Sequence, residues 1–179
     1  MVEFALDYHR ANPQEKRAAF ANVYEFWGND LPLDEYVEWR LNSSHHQRAV
    51  WYVGVLDGMV VTSLGVFPMV LSVGGDLQPA MFIGAVHTNP EFRERGYAAG
   101  LIAYAEQEQA ANHEVRWSLL FSDINPNYYA RMGYQISSAP NVCIKPAEVE
   151  GWLTEPLDLT FDLDQMVEMY EANHRRQTC

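Results

Sequence analysis

Cysteine is nearly absent: Cys143 and Cys179 are the only two in 179 residues. Two are too few for a disulfide framework, and neither has metal-ligand spacing around it. Basic residues are scarce as well, with 12 lysines and arginines against 24 aspartates and glutamates and a formal net charge of −12. A chain that grips nucleic acid neutralises phosphates with cations, so no nucleic-acid partner is expected. Charged residues total only 20% and aromatics reach 13%, which excludes intrinsic disorder. No run approaches the ~20 apolar residues of a membrane span. The opening Met1-Val-Glu-Phe-Ala lacks a basic stretch followed by an apolar one, so no secretory signal is read. These absences point to a cytoplasmic protein with no membrane partner and no metal.

What is present suffices for one domain with a sizeable core, since 48% of the residues are hydrophobic. Asn12-Pro13-Gln14-Glu15 predicts a helix start: Asn12 caps, Pro13 loses nothing by lacking an N–H, and Glu15 completes a capping box. Phe20, Val23, Tyr24 and Trp27 then form one apolar stripe, which Gly28 ends. A second helix puts Leu33, Tyr36, Val37 and Leu41 on one face. From Val50 the period becomes that of strands. Val50 to Leu56 and Met59 to Phe67 flank the hairpin signal Asp57-Gly58, and Val70 to Val73 and Ala80 to Val86 flank Gly74-Gly75-Asp76.

A helix over Tyr97 to Asn112 follows, with Leu101, Ile102 and Ala105 inward, then a buried strand over Val115 to Phe121. Pro126 opens a short helix through Arg131, which Gly133 closes, and Ile136 and Val142 to Ile144 suit a last strand region. In the tail, Leu157 to Leu163 reads as a strand, and Asp162 or Asp164 caps a helix with Met166, Val167 and Tyr170 inward. The order implies an α+β (mixed α/β) fold.

The segment that carries chemistry is Ala85 to Ile102. A strand runs into a loop containing Arg93-x-x-Gly96-x-Ala98, and a helix starts at once. Such a junction aims several backbone N–H groups and the positive end of a helix dipole at one place, which suits a pyrophosphate. Gly96 and Ala98 leave room for close approach, and Arg93 and Arg95 add charge. Neither G-x-x-x-x-G-K-[ST] nor G-x-G-x-x-G occurs, so the P-loop and dinucleotide readings fail.

Arg93, Gly96 and Ala98 match the [Q/R]-x-x-G-x-[G/A] loop of the GNAT acetyltransferase superfamily, which this chain resembles. Downstream, Tyr128-Tyr129-Ala130-Arg131-Met132-Gly133-Tyr134 resembles the family's second motif, F-Y-x-[K/R]-x-G-[F/Y]. The lead-in Ser122-Asp-Ile-Asn-Pro is similar to that of Eis-type and lysine N-acetyltransferases. The resemblance covers Val50 to Tyr134 best.

It implies a twisted, mostly antiparallel sheet with a splayed strand pair, flanked by helices, and acetyl-CoA as cosubstrate. Val86 and Thr88, around His87, would pair with the pantetheine arm as an added strand does. The amides of Glu94, Arg95, Gly96, Tyr97 and Ala98 would hold the pyrophosphate. Asn125 lies where a side chain meets the cofactor. Tyr129 matches the tyrosine that protonates the departing thiolate, and a phenol is protonated at neutral pH. No general base is read, although His87 and Asp123 are candidates.

Around the first two helices, Glu25, Asp30, Asp34, Glu35 and Glu38 with Trp27 and Tyr36 suit a primary amine, as charge partners and cation–π faces. The expected activity is direct acetyl transfer to a small-molecule or lysine-type amine. The alternative is a catalytically weak or inactive acyl-CoA-binding or assembly module. The expected division is an acetyltransferase domain over 1–146 and a C-terminal extension over 147–179, read either as the end of a short protein or as the start of a downstream part. A homo-oligomer is compatible with the apolar content.

Overall fold

The structure, a computed structural model, describes residues 6–137 and 162–169. A short first strand, β1 (Asp7–Arg10), pairs antiparallel with β2 (Val50–Leu56). Between them lie four helices: α1 (Pro13–Asn22), α2 (Tyr24–Trp27), α3 (Leu33–Asn42) and α4 (Ser44–Arg48). The capping box forms as expected, with Asn12 Oδ1 accepting from the amides of Gln14 and Glu15 and Glu15 accepting from the Asn12 amide. The expected continuous stripe does not. The helix breaks at Val23, so Phe20 and Val23 are buried while Trp27 swings outward, 41% exposed.

Asp57 and Gly58, both with positive φ, turn β2 into β3 (Met59–Val73), and Gly74-Gly75 turns β3 into β4 (Asp76–Thr88). The two strand segments expected over 59–67 and 70–73 are one 15-residue strand, continuous through Pro68. A 3-10 turn, Pro90–Phe92, leads to α5 (Tyr97–His113), which buries Leu101, Ile102 and Ala105 as its spacing predicts. The next strand is shorter than expected. β5 is only Trp117–Leu119, lies at the sheet edge and leaves Trp117 43% exposed. α6 (Asn127–Ala130) follows, with Gly133 at positive φ beyond it, and Ile136 is exposed outside any strand.

The sheet order is β1-β2-β3-β4-β5, antiparallel except for the β4–β5 pair. Its two faces carry separate cores. On one, α1 to α4 pack Ala19, Phe20, Tyr36 and Val37 against Trp51 and Val53. On the other, α5 and α6 pack Leu101, Ile102 and Tyr129 against Tyr52, Leu64 and Ile83. Alternation along β2 and β3 feeds both layers, since neighbouring residues point to opposite faces.

The chain divides into compact units of 1–137 and 138–179. In the second, helix α7 covers 162–169, so Asp162 and Leu163 are helical rather than the end of a strand. Met166 and Val167, expected inward, are exposed. Cys143, Cys179, the strand expected at 142–144, residues 157–161, Tyr170 and the division at 146/147 lie outside the described residues. Among the described residues no helix is long and apolar enough to cross a membrane, and no cluster of three or more ligands could hold a metal.

Candidate active site at the splayed strands

β4 and β5 are paired only from Ala80 to Phe82 and from Trp117 to Leu119. Past that point β4 runs six more residues to Thr88 with, among the described residues, a hydrogen-bonding neighbour only on its β3 side. A wedge therefore opens along Ile83 to Thr88. Where it opens, β4 also bulges. Gly65 pairs with Gly84 and Ser63 with His87, so Leu64 alone opposes both Ala85 and Val86. Ala85 takes up the distortion at φ 51°, a left-handed conformation that costs an alanine roughly 1–2 kcal/mol. The bulge was not read from the sequence; a glycine inside a strand, Gly84, is the signal that marks such sites.

The expected cofactor residues fall at one end of this wedge. Val86 packs against the α5 layer. His87 points the opposite way: it is 7% exposed, its ring lies 6.0 Å from that of Phe26, and its Nδ1 has no partner among the described residues. Burial and the nearby Arg93 lower its pKa, while Glu25 opposes them. Thr88 Oγ1 lies 2.9 Å from Thr62 Oγ1, which also donates to the His87 carbonyl at 2.8 Å.

Glu94 and Gly96 both have positive φ, 64° and 78°. This curls the loop so that Gly96 becomes the N-cap of α5 with no side chain of its own to offer. The first intrahelical amide bond in this turn is from Gly100 to the Gly96 carbonyl, at 2.9 Å. The amides of Tyr97, Ala98 and Ala99 thus precede the helix ladder, the ordinary state of a helix N-terminus suited to an anion. Space beyond Gly96 is open for 4 Å around the position a Cβ would take.

The two arginines set their charge beside the loop and also brace it. Arg93 Nε donates to the Thr88 carbonyl at 3.0 Å, and Arg95 Nη2 donates to the Glu91 carbonyl at 3.1 Å with its guanidinium 5.4 Å from the Phe92 ring. Both tie the loop to itself. Asn125 likewise uses Oδ1 locally, accepting from the Asn127 amide at 3.0 Å. Tyr129 is 8% exposed, edge-on to Tyr128 and Tyr134, and shares an apolar cluster with Val86 and Leu101. Tyr134 holds this corner in place. Its hydroxyl donates to Glu106 on α5 at 2.6 Å and lies 2.6 Å from Ser118 on β5, and burial pushes its pKa up.

A splayed parallel pair, a bulge beside it, and a glycine-capped helix at its end make a slot for an extended chain terminating in an anion. The sequence model of the acetyltransferase (GNAT) domain matches residues 7–137. The chain belongs to the GNAT acetyltransferase family. Solved structures agree in fold. The aminoglycoside N-acetyltransferase AAC(6')-Iy, solved with CoA, superposes with a TM-score of 0.61 at 20% identity, over 79% of this chain and 95% of that one. A ribosomal-protein-alanine N-acetyltransferase from Brucella melitensis biovar Abortus 2308 gives 0.62 at 16%, over 79% and 100%. Glucosamine-6-phosphate N-acetyltransferase from Arabidopsis thaliana gives 0.57 at 14%, over 78% and 98%. No curated protein sequence matches the chain.

On the helical face of the GNAT domain, two cavities reach β4. One, of about 370 Å³, lies between α1, α2 and the strand's end and includes Asn22, Glu25, Phe26 and His87. The other, of about 330 Å³, reaches the bulge at Gly84 and Ala85 and is walled by Trp27, Trp39, Arg40, His45, His46, Phe67 and Phe82. Of the expected acidic wall, Glu25 lines the first cavity and none of the five carboxylates lines the second. Asp30, Asp34, Glu35 and Glu38 are exposed, and Tyr36 is fully buried in the core beneath. Trp27 alone of the named aromatics lines this second cavity. Arg40 and the His45-His46 pair escaped the sequence reading. Arg40 lies four residues after Tyr36, on the helix's inward face, and a cation there was the available signal.

Proposed function

We propose that this protein is an acetyl-CoA-dependent N-acetyltransferase that passes the acetyl group directly to a primary amine of a small-molecule or lysine-type acceptor. The observation that carries the reading is the wedge from Ile83 to Thr88, which ends at the Gly96-capped start of α5. In it the backbone of Val86 and Thr88 pairs with the pantetheine arm, and the amides from Glu94 to Ala98 receive the pyrophosphate. The pairing is sequence-independent because it uses main-chain groups. The side chains of Arg93 and Arg95 serve by fixing the loop.

The amine nitrogen, once neutral, attacks the thioester carbonyl carbon. A C–N bond forms, the C–S bond breaks, and sulfur leaves with the electron pair. Tyr129 supplies the proton that turns the thiolate into a thiol and is reprotonated from the medium, which takes up the proton shed by the amide nitrogen. No covalent enzyme intermediate is needed.

A thermal-shift titration tests the reading. Acetyl-CoA at about 100 times its Kd stabilises a fold by about 2.7 kcal/mol, or roughly 5–10 °C in a chain this long. A dinucleotide gives no shift. Acetyl-CoA giving none would remove the enzyme reading. Binding without amine-dependent thiol release over a broad panel would leave the acyl-CoA-binding module instead.

A further inference from the structure

The second cavity holds a buried cation that has no counter-ion among the described residues. Arg40 is 8% exposed. Among the described residues no hydrogen bond or ion pair engages it, and its Nε is fully buried without an acceptor. Its guanidinium is boxed by the rings of Phe20, Trp27 and Tyr36, at 5.2, 5.5 and 5.6 Å. Rings offer π faces but cannot accept five N–H donors. Burial lowers the pKa of Arg40, yet an arginine keeps its charge at neutral pH.

The surroundings add no negative charge. Of the described residues that wall the cavity, none is a carboxylate, in a chain with 24 aspartates and glutamates. His46 has its pKa pushed down to about 4, so it is neutral, and the neighbouring charge is Lys16, whose Nζ donates to the His46 carbonyl at 3.0 Å. A largely buried guanidinium whose Nε meets no acceptor among the described residues is costly unless something entering the cavity completes it. The same cavity runs from Arg40 to the bulge at Gly84 and Ala85, and Trp39, Phe67 and Phe82 wall it together with Asn29, His45 and His46.

From this geometry we infer that the acceptor carries two ends: a primary amine presented at the β4 bulge and a carboxylate held by Arg40, with an apolar stem against the aromatic walls. This rests on the acetyltransferase reading for the amine end only; the anion site stands on Arg40 and its cavity. A volume of about 330 Å³ is at the small end of ligand pockets, right for an amino-acid-sized molecule. A polycationic amine, such as an aminoglycoside, meets repulsion there.

Matched pairs separate the contributions. The full chain, with CoA present, is titrated with L-phenylalanine against phenethylamine, L-lysine against cadaverine, and O-phosphoethanolamine against ethanolamine, following tryptophan fluorescence and calorimetry. Thiol release with acetyl-CoA is then measured on the same six. The expected result is at least tenfold tighter binding and higher kcat/KM for a carboxylated member over its decarboxylated twin. In Arg40→Met the difference vanishes through KM, while acetyl-CoA affinity and thermal stability are kept or improved. Preference for the phosphorylated amine alone would overturn the carboxylate and leave a phosphate site. Equal binding within every pair, or a preference that survives Arg40→Met, would overturn the proposal while the enzyme reading stands. Carboxylate binding through Arg40 without any acetyl-CoA shift would do the reverse.

Discussion

The hydroxyl of Tyr8 on β1 donates to the carbonyl of Tyr97, the first residue of α5, at 3.1 Å. A Cβ placed on Gly100, one turn further on, would come within 2.5 Å of that same hydroxyl oxygen. The first strand and the start of α5 are therefore in contact, and glycine at 100 is what allows it. Glycine inside a helix ordinarily weakens it by about 1 kcal/mol relative to alanine, so the contact outweighs propensity here.

Gly100→Ala is expected to lower stability by about 1–3 kcal/mol despite alanine's better helix propensity, because the phenol is too stiff to yield. It should also weaken acetyl-CoA binding, since it moves the first turn of α5. Denaturant melts and a cofactor titration check both. Combining it with Tyr8→Ala should recover part of the lost affinity.

Gly96 meets a backbone requirement as well as leaving room for an anion. Its φ of 78° is left-handed and nothing lies within 4 Å of an added Cβ. Gly96→Asn should keep nearly full stability, because asparagine tolerates this region, and lose part of its acetyl-CoA affinity, because its side chain enters the space open to the pyrophosphate. Gly96→Val should lose roughly 1–2 kcal/mol and most of its affinity. Equal affinity in both variants would show that the loop's conformation does not matter.

Tyr129→Phe keeps the ring that packs with Leu101 and Tyr134, so its melting temperature should stay within a degree or two. Turnover should fall on the order of 10²-fold, the usual scale for a general acid, with acetyl-CoA affinity unchanged. Unaltered turnover would reduce Tyr129 to a core aromatic.

Stability should fall early on acidification. His46 is 9% exposed and has its pKa lowered from 6.5 to about 4 by burial and by Arg40, His45 and Lys16. The unfolded chain binds this proton from about pH 6.5 downward while the folded chain refuses it until about pH 4. Stability is thus full above pH 6.5 and drops by up to about 3 kcal/mol between those values. His87, lowered in the same direction, adds to the slope. Glu15 and Glu108, both lowered, give way only below the ordinary carboxylate range. His46→Gln should flatten the curve of stability against pH from 6.5 to 5.

Short-range chemistry was legible in the residues alone. The Asn12–Glu15 capping box, the Asp57-Gly58 and Gly74-Gly75 turns, the inward face of α5 and the Arg93 to Ala98 loop each depend on neighbours a few positions apart, and each formed where the spacing indicated. The family followed from two such local motifs in order. Long-range pairing decided the rest. Whether β5 would stop at Leu119 and leave β4 open depends on contacts between segments some 40 residues apart. The bulge at Ala85 comes from register against Leu64, not from its own residue type. Most of all, the sequence placed carboxylates and Tyr36 around the acceptor. Packing turned the carboxylates to solvent, buried Tyr36, and drew Arg40 between three rings. A helix pattern shows which positions turn inward; only the assembled layers show what an inward cation faces.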